Sequence, residues 1–148
     1  MKIAIGSDHG GYELKEFLKS YFKENNVAFD DYGTDSDQSV DYPDFGKKVA
    51  HAVLSNAYDF GIVICGTGIG ISIAANKVKG IRAALVYNEE TARLAKEHNN
   101  ANIIALGGRT TSNDEAVNIV NAYMKAVFEE RHQKRLDKIS EIEGASHE

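Results

Sequence analysis

The chain of 148 residues has one cysteine, one proline and no long uninterrupted hydrophobic run. A lone Cys65 cannot close an intrachain disulfide, and that usage fits a reducing compartment. The longest charge-free stretch, Phe60 to Asn76, is broken by glycines and falls short of the roughly 20 apolar residues that a membrane helix needs. Positive charge is also scarce: 17 Lys and Arg against 22 Asp and Glu give −5, with the two signs interspersed. This balance argues against a nucleic-acid or anionic-membrane surface. Before the polar Gly6-Ser7-Asp8-His9 there is one lysine and only Ile3-Ala4-Ile5, too little for the core of a signal peptide. We expect one cytoplasmic domain spanning 1–148, with no membrane or nucleic-acid partner.

What is present centres on Phe60-Gly61-Ile62-Val63-Ile64-Cys65-Gly66-Thr67-Gly68-Ile69-Gly70-Ile71-Ser72. A β-rich run ends in a thiol, three alternating glycines follow, and a helix-compatible segment continues to Lys79. Glycines that adopt positive φ expose successive N–H groups, which together with a helix N-terminus form an anion-binding concavity. At the rim of such a nest the thiolate is favoured over the thiol. The stretch therefore offers a nucleophile or base beside a cradle for negative charge.

Strands are expected at Lys2–Gly6, Val27–Tyr32, Phe60–Cys65, Ile81–Tyr87 and Ile103–Leu106. They alternate with amphipathic helices; Leu14, Phe17, Leu18, Tyr21 and Phe22, for example, form one apolar stripe. Pro43 suits a helix's first turn, and Ser112 or Asn113 can cap another. A final helix is expected over about 131–143, with a frayed tail at 144–148. Five strands alternating with helices predict an α/β fold: a three-layer, Rossmann-like parallel sheet with helices on both faces. The expected strand order is the flavodoxin-like 2-1-3-4-5, with ligands at the carboxyl ends of strands one and three. Asp8 and His9 fall at one of those ends and Cys65 at the other.

Familiar motifs fail. The Gly-x-Gly-x-Gly turn is one residue short of the dinucleotide fingerprint, lacks the Lys of a Walker loop, and has Ile71 where a Cys-x5-Arg phosphatase loop needs arginine. His51, in a helix, and His147, in the tail, carry no expected role. His98 ends a helix that starts at the carboxyl edge of the sheet, so it must lie at the opposite edge. A five-residue strand spans roughly 17 Å, so His98 cannot easily reach Cys65 of its own chain. If both are catalytic, a second subunit supplies the imidazole, which predicts an obligate dimer. Arg131 and Arg135 share a helix face, and Arg109 follows two glycines; all three suit phosphate.

Taken together, Gly6-Ser7-Asp8-His9-Gly10-Gly11, Asp41-Tyr42-Pro43, the Cys65–Ser72 turn with Ala74-Ala75-Asn76-Lys77, Gly80-Ile81-Arg82-Ala83, His98-Asn99, Gly107-Gly108-Arg109 and Arg131-His132 with Arg135 closely resemble ribose-5-phosphate isomerase type B. The likeness covers nearly the whole chain. It implies interconversion of ribose 5-phosphate and ribulose 5-phosphate in pentose phosphate metabolism, without metal or cofactor. It also implies a homodimer with shared active sites, with a tetramer as the larger assembly. By position, Cys65 resembles the base and His98 the group that opens the furanose ring. The turn of Gly66, Thr67, Gly68, Ile69 and Gly70 resembles the enediolate cradle. Asp8, His9, Tyr42 and Asn99 resemble substrate contacts, and Arg109, Arg131 and Arg135 the phosphate clamp. One branch of that family has a glutamate base at the position of Ile71; Ile71 with Cys65 places this chain in the cysteine branch. Galactose-6-phosphate or allose-6-phosphate isomerase is the near alternative, and a non-catalytic flavin- or nucleotide-binding module the remote one.

Overall fold

A computed structural model describes residues 1–145. In chain order it contains β1 (Lys2–Ser7), a 3-10 turn (His9–Gly11), α1 (Tyr12–Glu24), β2 (Ala28–Asp31), α2 (Tyr42–Leu54), β3 (Phe60–Cys65) and α3 (Ile69–Asn76). There follow β4 (Ala83–Leu85), α4 (Glu89–Glu97), β5 (Ile103–Gly107), α5 (Asn113–Lys125), a second 3-10 turn (Glu130–His132) and α6 (Gln133–Ala145). Local chemistry explains the boundaries. Pro43 lies in the first turn of α2, and reciprocal capping boxes open α4 (Asn88 with Thr91) and α5 (Ser112 with Glu115). The last helix begins two residues later than expected and includes Gly144 and Ala145, which were expected in the frayed tail; the rest of that tail, 146–148, lies outside the described residues.

All strand pairs are parallel, and the five-stranded sheet runs β2-β1-β3-β5-β4. The expected α/β class holds, but the last two strands exchange places relative to 2-1-3-4-5. Burial explains the exchange. β5, Ile103–Gly107, is buried throughout, whereas β4 has three residues, none of them buried. A continuous apolar strand belongs inside the sheet, and a short, half-exposed one belongs at its edge.

The exchange also moves a helix. Right-handed crossovers place α2 and α3 on one face, where the chain steps outward from β2 to β3 to β4. From β4 the chain steps back to β5, so α4 crosses on the other face, with α1 and α5. The core follows this division. Leu14, Leu18, Phe22, Ala92, Ala95, Ile119 and Val120 pack with Ile62, Ile64 and Ile104 on one side. On the other, Val49, Val53, Ile71 and Ala75 pack with Val63, Cys65 and Ala105. Lys15, fully buried on α1, bonds Asp31 at 2.7 Å and Glu16 at 3.0 Å, which ties the helix to the end of β2.

Candidate active site

Three loops meet at the carboxyl edge of the central strands. After β1, the Asp8 N–H donates to the Ile64 carbonyl at 3.1 Å, and its carboxylate Oδ1 accepts the Gly11 N–H at 3.1 Å. Asp8 thus caps the 3-10 turn while buried. His9 Nδ1 accepts the Val40 N–H at 3.1 Å. After β3, Gly68 takes φ 80° and folds its N–H back onto Cys65 Sγ at 3.2 Å. After β5, the Gly108 N–H donates to the Cys65 carbonyl at 2.8 Å and the Arg109 N–H to the Gly66 carbonyl at 2.9 Å.

The loops touch through glycines. A Cβ on Gly10 would lie 3.0 Å from the Gly66 nitrogen, one on Gly66 would lie 2.9 Å from Arg109 Nη1, and one on Gly70 would strike the Tyr42 ring at 2.7 Å. Side chains are missing where the backbones approach. Asp8, His9, Tyr42, Cys65, Gly66, Thr67, Gly68, Ile69, Gly70 and Arg109 therefore gather at one edge. Thr67 and Ile69 face outward, and Thr67 Oγ1 accepts the Ile69 N–H at 3.2 Å. A cavity of about 240 Å³ is lined by His9, Gly10, Glu13, Asp37, Gly108 and Arg109. Cys65, 5% exposed, is not part of this lining and packs with the core on the α2–α3 side. Larger grooves, about 730 Å³ between α4 and α5 and about 770 Å³ along α2, are lined by none of these ten residues.

His98, Asn99, Arg131 and Arg135 are not in this group. Asn102, just before β5, accepts the Gly61 N–H at its carbonyl, while Cys65 pairs with Gly107 at the far end of the same two strands. The His98 turn therefore lies a strand length away, about 17 Å. There the His98 and His132 rings stack with centroids 4.3 Å apart. Arg131 donates to Glu129 Oε1 at 2.8 Å, and Arg135 Nη1 is 3.4 Å from His132 Nδ1. Arg82 donates through Nε to the Asn99 carbonyl at 3.1 Å, which holds that turn.

His132, next to Arg131 in the basic cluster, is not among the expected site residues. It is nevertheless 8% exposed and, among the described residues, its Nε2 has no hydrogen-bond partner. Burial, followed by the charges of Arg131, His98 and Arg135, holds it below the usual imidazole range, so it is neutral near pH 7. The sequence signals it only through its adjacency to the paired arginines and its place in the Arg131-His132 motif. The hydrogen bond from Arg131 lowers Glu129.

His98, Glu129 and His132 have ligand atoms within 4.8 Å of one another, close enough for a metal ion. A cation there would have to displace Arg131 from Glu129 and would face Arg135. The carboxyl edge thus gathers Cys65, His9 and Arg109, and the opposite edge His98, His132, Arg131 and Arg135.

Residues 3–139 match the sequence profile of a family described as Ribose/Galactose Isomerase. The chain belongs to the ribose/galactose isomerase family. The match runs from β1 into α6 and so includes both edges. Ribose-5-phosphate isomerase B of Escherichia coli K12 is 44% identical over 143 residues, covering 96% of each chain. The structure of ribose-5-phosphate isomerase B from Clostridium thermocellum superposes with a TM-score of 0.96 at 56% identity, covering 99% of both chains. That of the Mycoplasma genitalium enzyme with bound ribulose-5-phosphate gives 0.91 at 45% identity, covering 97% of this chain and 96% of the other. In this isomerase-family chain, no helix among the described residues is long and apolar enough to cross a membrane.

Proposed function

We propose that this chain interconverts D-ribose 5-phosphate and D-ribulose 5-phosphate through a cis-enediolate, in the cytoplasm, using no metal or cofactor. The observation that carries the reading is the thiol of Cys65 beneath the Gly68 amide, with Arg109 and His9 on the adjoining loops. Cys65, as thiolate, takes the proton from C2 of the open aldose while the electron pair moves onto the C1 oxygen. The proton on O2 passes to O1, and Cys65 returns its proton to C1. Gly68 and Ile69 donate their N–H groups to Cys65 Sγ and Thr67 Oγ1. The remaining N–H groups of the Gly66–Gly70 turn are the donors for the charge that develops on oxygen, the kind of preorganised set that is usually the largest single catalytic contribution. Phosphate held by arginines fixes the sugar and supplies binding energy for positioning.

The ring-opening group comes from a second copy of the chain. His98 lies a strand length from Cys65, so a homodimer that sets the amino edge of one protomer against the carboxyl edge of its partner completes two sites. His98 then moves the C1 hydroxyl proton to the ring oxygen, Asn99 bonds a sugar oxygen, and Arg131 and Arg135 join Arg109 around the phosphate. Exposed Ile69 and Ile73 on α3, with Leu85 and Tyr87 nearby in β4 and its turn, offer apolar surface for such a partner. Pairing of dimers into a tetramer is the larger assembly.

The test is a kinetic panel of pentose and hexose phosphates with wild type, Cys65→Ala and His98→Ala. Cys65→Ala should lose at least 1,000-fold in kcat, on the order of a deleted proton-transfer group. Mixed Cys65→Ala and His98→Ala dimers should recover part of the activity once subunits exchange. Full activity in Cys65→Ala removes the assigned base, and no recovery on mixing removes the shared site. A preference for galactose 6-phosphate or allose 6-phosphate would redirect the substrate and leave the chemistry.

A further inference from the structure

We infer that the main-chain amide of Val40 is a positioning group, which fixes His9 in the tautomer that carries its proton on Nε2 and so presents a neutral hydrogen-bond donor to a phosphate oxygen in the carboxyl-edge cavity. The inference deepens the isomerase reading above and rests on it for the ligand's identity. The tautomer itself is a property of the free protein.

Val40 donates its N–H to His9 Nδ1 at 3.1 Å. A nitrogen that accepts a hydrogen bond keeps its lone pair, so the proton of the neutral ring resides on Nε2. The other tautomer would set two N–H groups against each other, and that conflict selects between forms that are otherwise close in energy. The polar setting makes the choice consequential. Around the cavity Glu13 and Asp37 carry carboxylates, Asp8 precedes His9 in the chain, and Arg109 is the cationic donor. An arriving phosphate oxygen is an acceptor. An Nε2–H directed at it bonds, whereas an Nε2 lone pair there would repel it. A single backbone amide thereby sets the sign of one substrate contact.

The same bond ties down the loop between β2 and α2. At its start the Thr34 N–H donates to the Ser7 carbonyl at 2.7 Å. Further along, the Gln38 N–H bonds Ser36 Oγ at 3.3 Å, within the loop itself. Val40 then joins the loop to the turn after β1, two residues ahead of Tyr42, whose ring covers Gly70. Orientation of the imidazole and placement of the loop are therefore one event.

The test combines a spectroscopic and a binding measurement on the full-length protein. Two-bond 15N–1H correlations on histidine-labelled protein above the imidazole titration report which ring nitrogen is protonated, with His9→Gln used for assignment. Wild type should show His9 protonated at Nε2 and bare at Nδ1. Val40→Pro removes the amide and should give a mixture of tautomers, while Val40→Ala keeps it and should match wild type. Inorganic phosphate, titrated against the His9 resonances, should bind about 3–10-fold more weakly to Val40→Pro, as expected for one compromised hydrogen bond. KM for ribose 5-phosphate should rise by a similar factor, with kcat within about 2-fold. A wild-type His9 protonated at Nδ1 overturns the inference, and it does so even if Val40→Pro does not fold. Unchanged phosphate affinity in a folded Val40→Pro also overturns it. Loss of isomerase activity on every sugar phosphate would sink the functional reading alone, because the tautomer and the phosphate titration need no turnover.

Discussion

The guanidinium of Arg109 lies over the backbone of Gly66: a Cβ built there would sit 2.9 Å from Nη1. The obstructing atom is the far end of a flexible side chain, so the fold can accommodate Gly66→Ala by swinging Arg109 away. That motion removes the guanidinium proposed to hold phosphate from its place. Gly66→Ala should change unfolding free energy by less than about 1 kcal/mol while raising KM for the sugar phosphate about 10-fold or more. Urea unfolding and initial-rate kinetics on one preparation separate the two effects. Comparable KM with lowered stability would contradict the placement of Arg109.

Gly68 predicts the opposite balance. Its φ of 80° disfavours any side chain, and a Cβ there would meet the Leu106 carbonyl carbon at 2.9 Å and the Leu85 side chain at 2.7 Å. Backbone of a central strand cannot swing aside. Gly68→Ala should cost roughly 2–4 kcal/mol from strain and overpacking together. It should also abolish most activity, because the amide that reaches Cys65 Sγ is the one displaced. Thermal unfolding with and without phosphate checks the first part, and the isomerase assay the second.

Acid should weaken the ion pair between buried Lys15 and the more exposed Asp31, which holds α1 to β2. Burial by itself would raise Asp31, but hydrogen bonds from Lys15, Lys19 and the Gly33 amide outweigh it and hold the carboxyl below the usual range. A carboxylate lowered in the folded state contributes stability in full above its unfolded value of about 3.9, and loses it as pH falls through the folded value. Asp31→Asn should cost about 1 kcal/mol at pH 7, because solvent reaches the Asp31 side chain and Glu16 still faces Lys15. The gap from wild type should begin to narrow below about pH 4 and go on narrowing as pH falls toward the lowered folded value. Urea midpoints from pH 7 down to 3 decide it; a gap that does not change with pH rejects the assignment.

Features set by a few consecutive residues are legible in the sequence. The Gly-rich turn after Cys65, the proline at the start of α2 and the Ser112 cap depend on local backbone chemistry, and each lies where expected. The separation of His98 from Cys65 also follows from counting strand residues. What escapes is non-local. β4 and β5 exchange places because relative burial, more than sequence order, decides which strand lies inside, and Arg82 just before the short β4 is the one sign of it. His132 escapes because its importance comes from stacking on His98 across the gap between α4 and the second 3-10 turn. Val40 escapes because a backbone amide leaves no mark in the sequence at all.

The short edge strand β4 supplies the last prediction. Asn76, the final residue of α3, donates from Nδ2 to the Ala83 carbonyl at 2.9 Å and accepts the Ala83 N–H at Oδ1 at 2.8 Å. One side-chain amide thereby satisfies both backbone groups of a residue on the open side of the sheet, as a neighbouring strand would. β4 matters to the site because Leu85 packs against Gly68. Both hydrogen bonds are exposed, so Asn76→Ala should cost only about 1–2 kcal/mol. The effect should be concentrated locally, with amide exchange accelerated at Ala83 and at Val86, whose N–H bonds the Ala105 carbonyl. Asn76→Asp keeps the acceptor but sets a carboxylate against the Ala83 carbonyl, so it should be no better than alanine. If exchange at Ala83 and Val86 is unchanged in Asn76→Ala, pairing with β5 alone holds the edge. If it accelerates and kcat falls with it, support for the Gly68 turn reaches the thiol from the margin of the sheet.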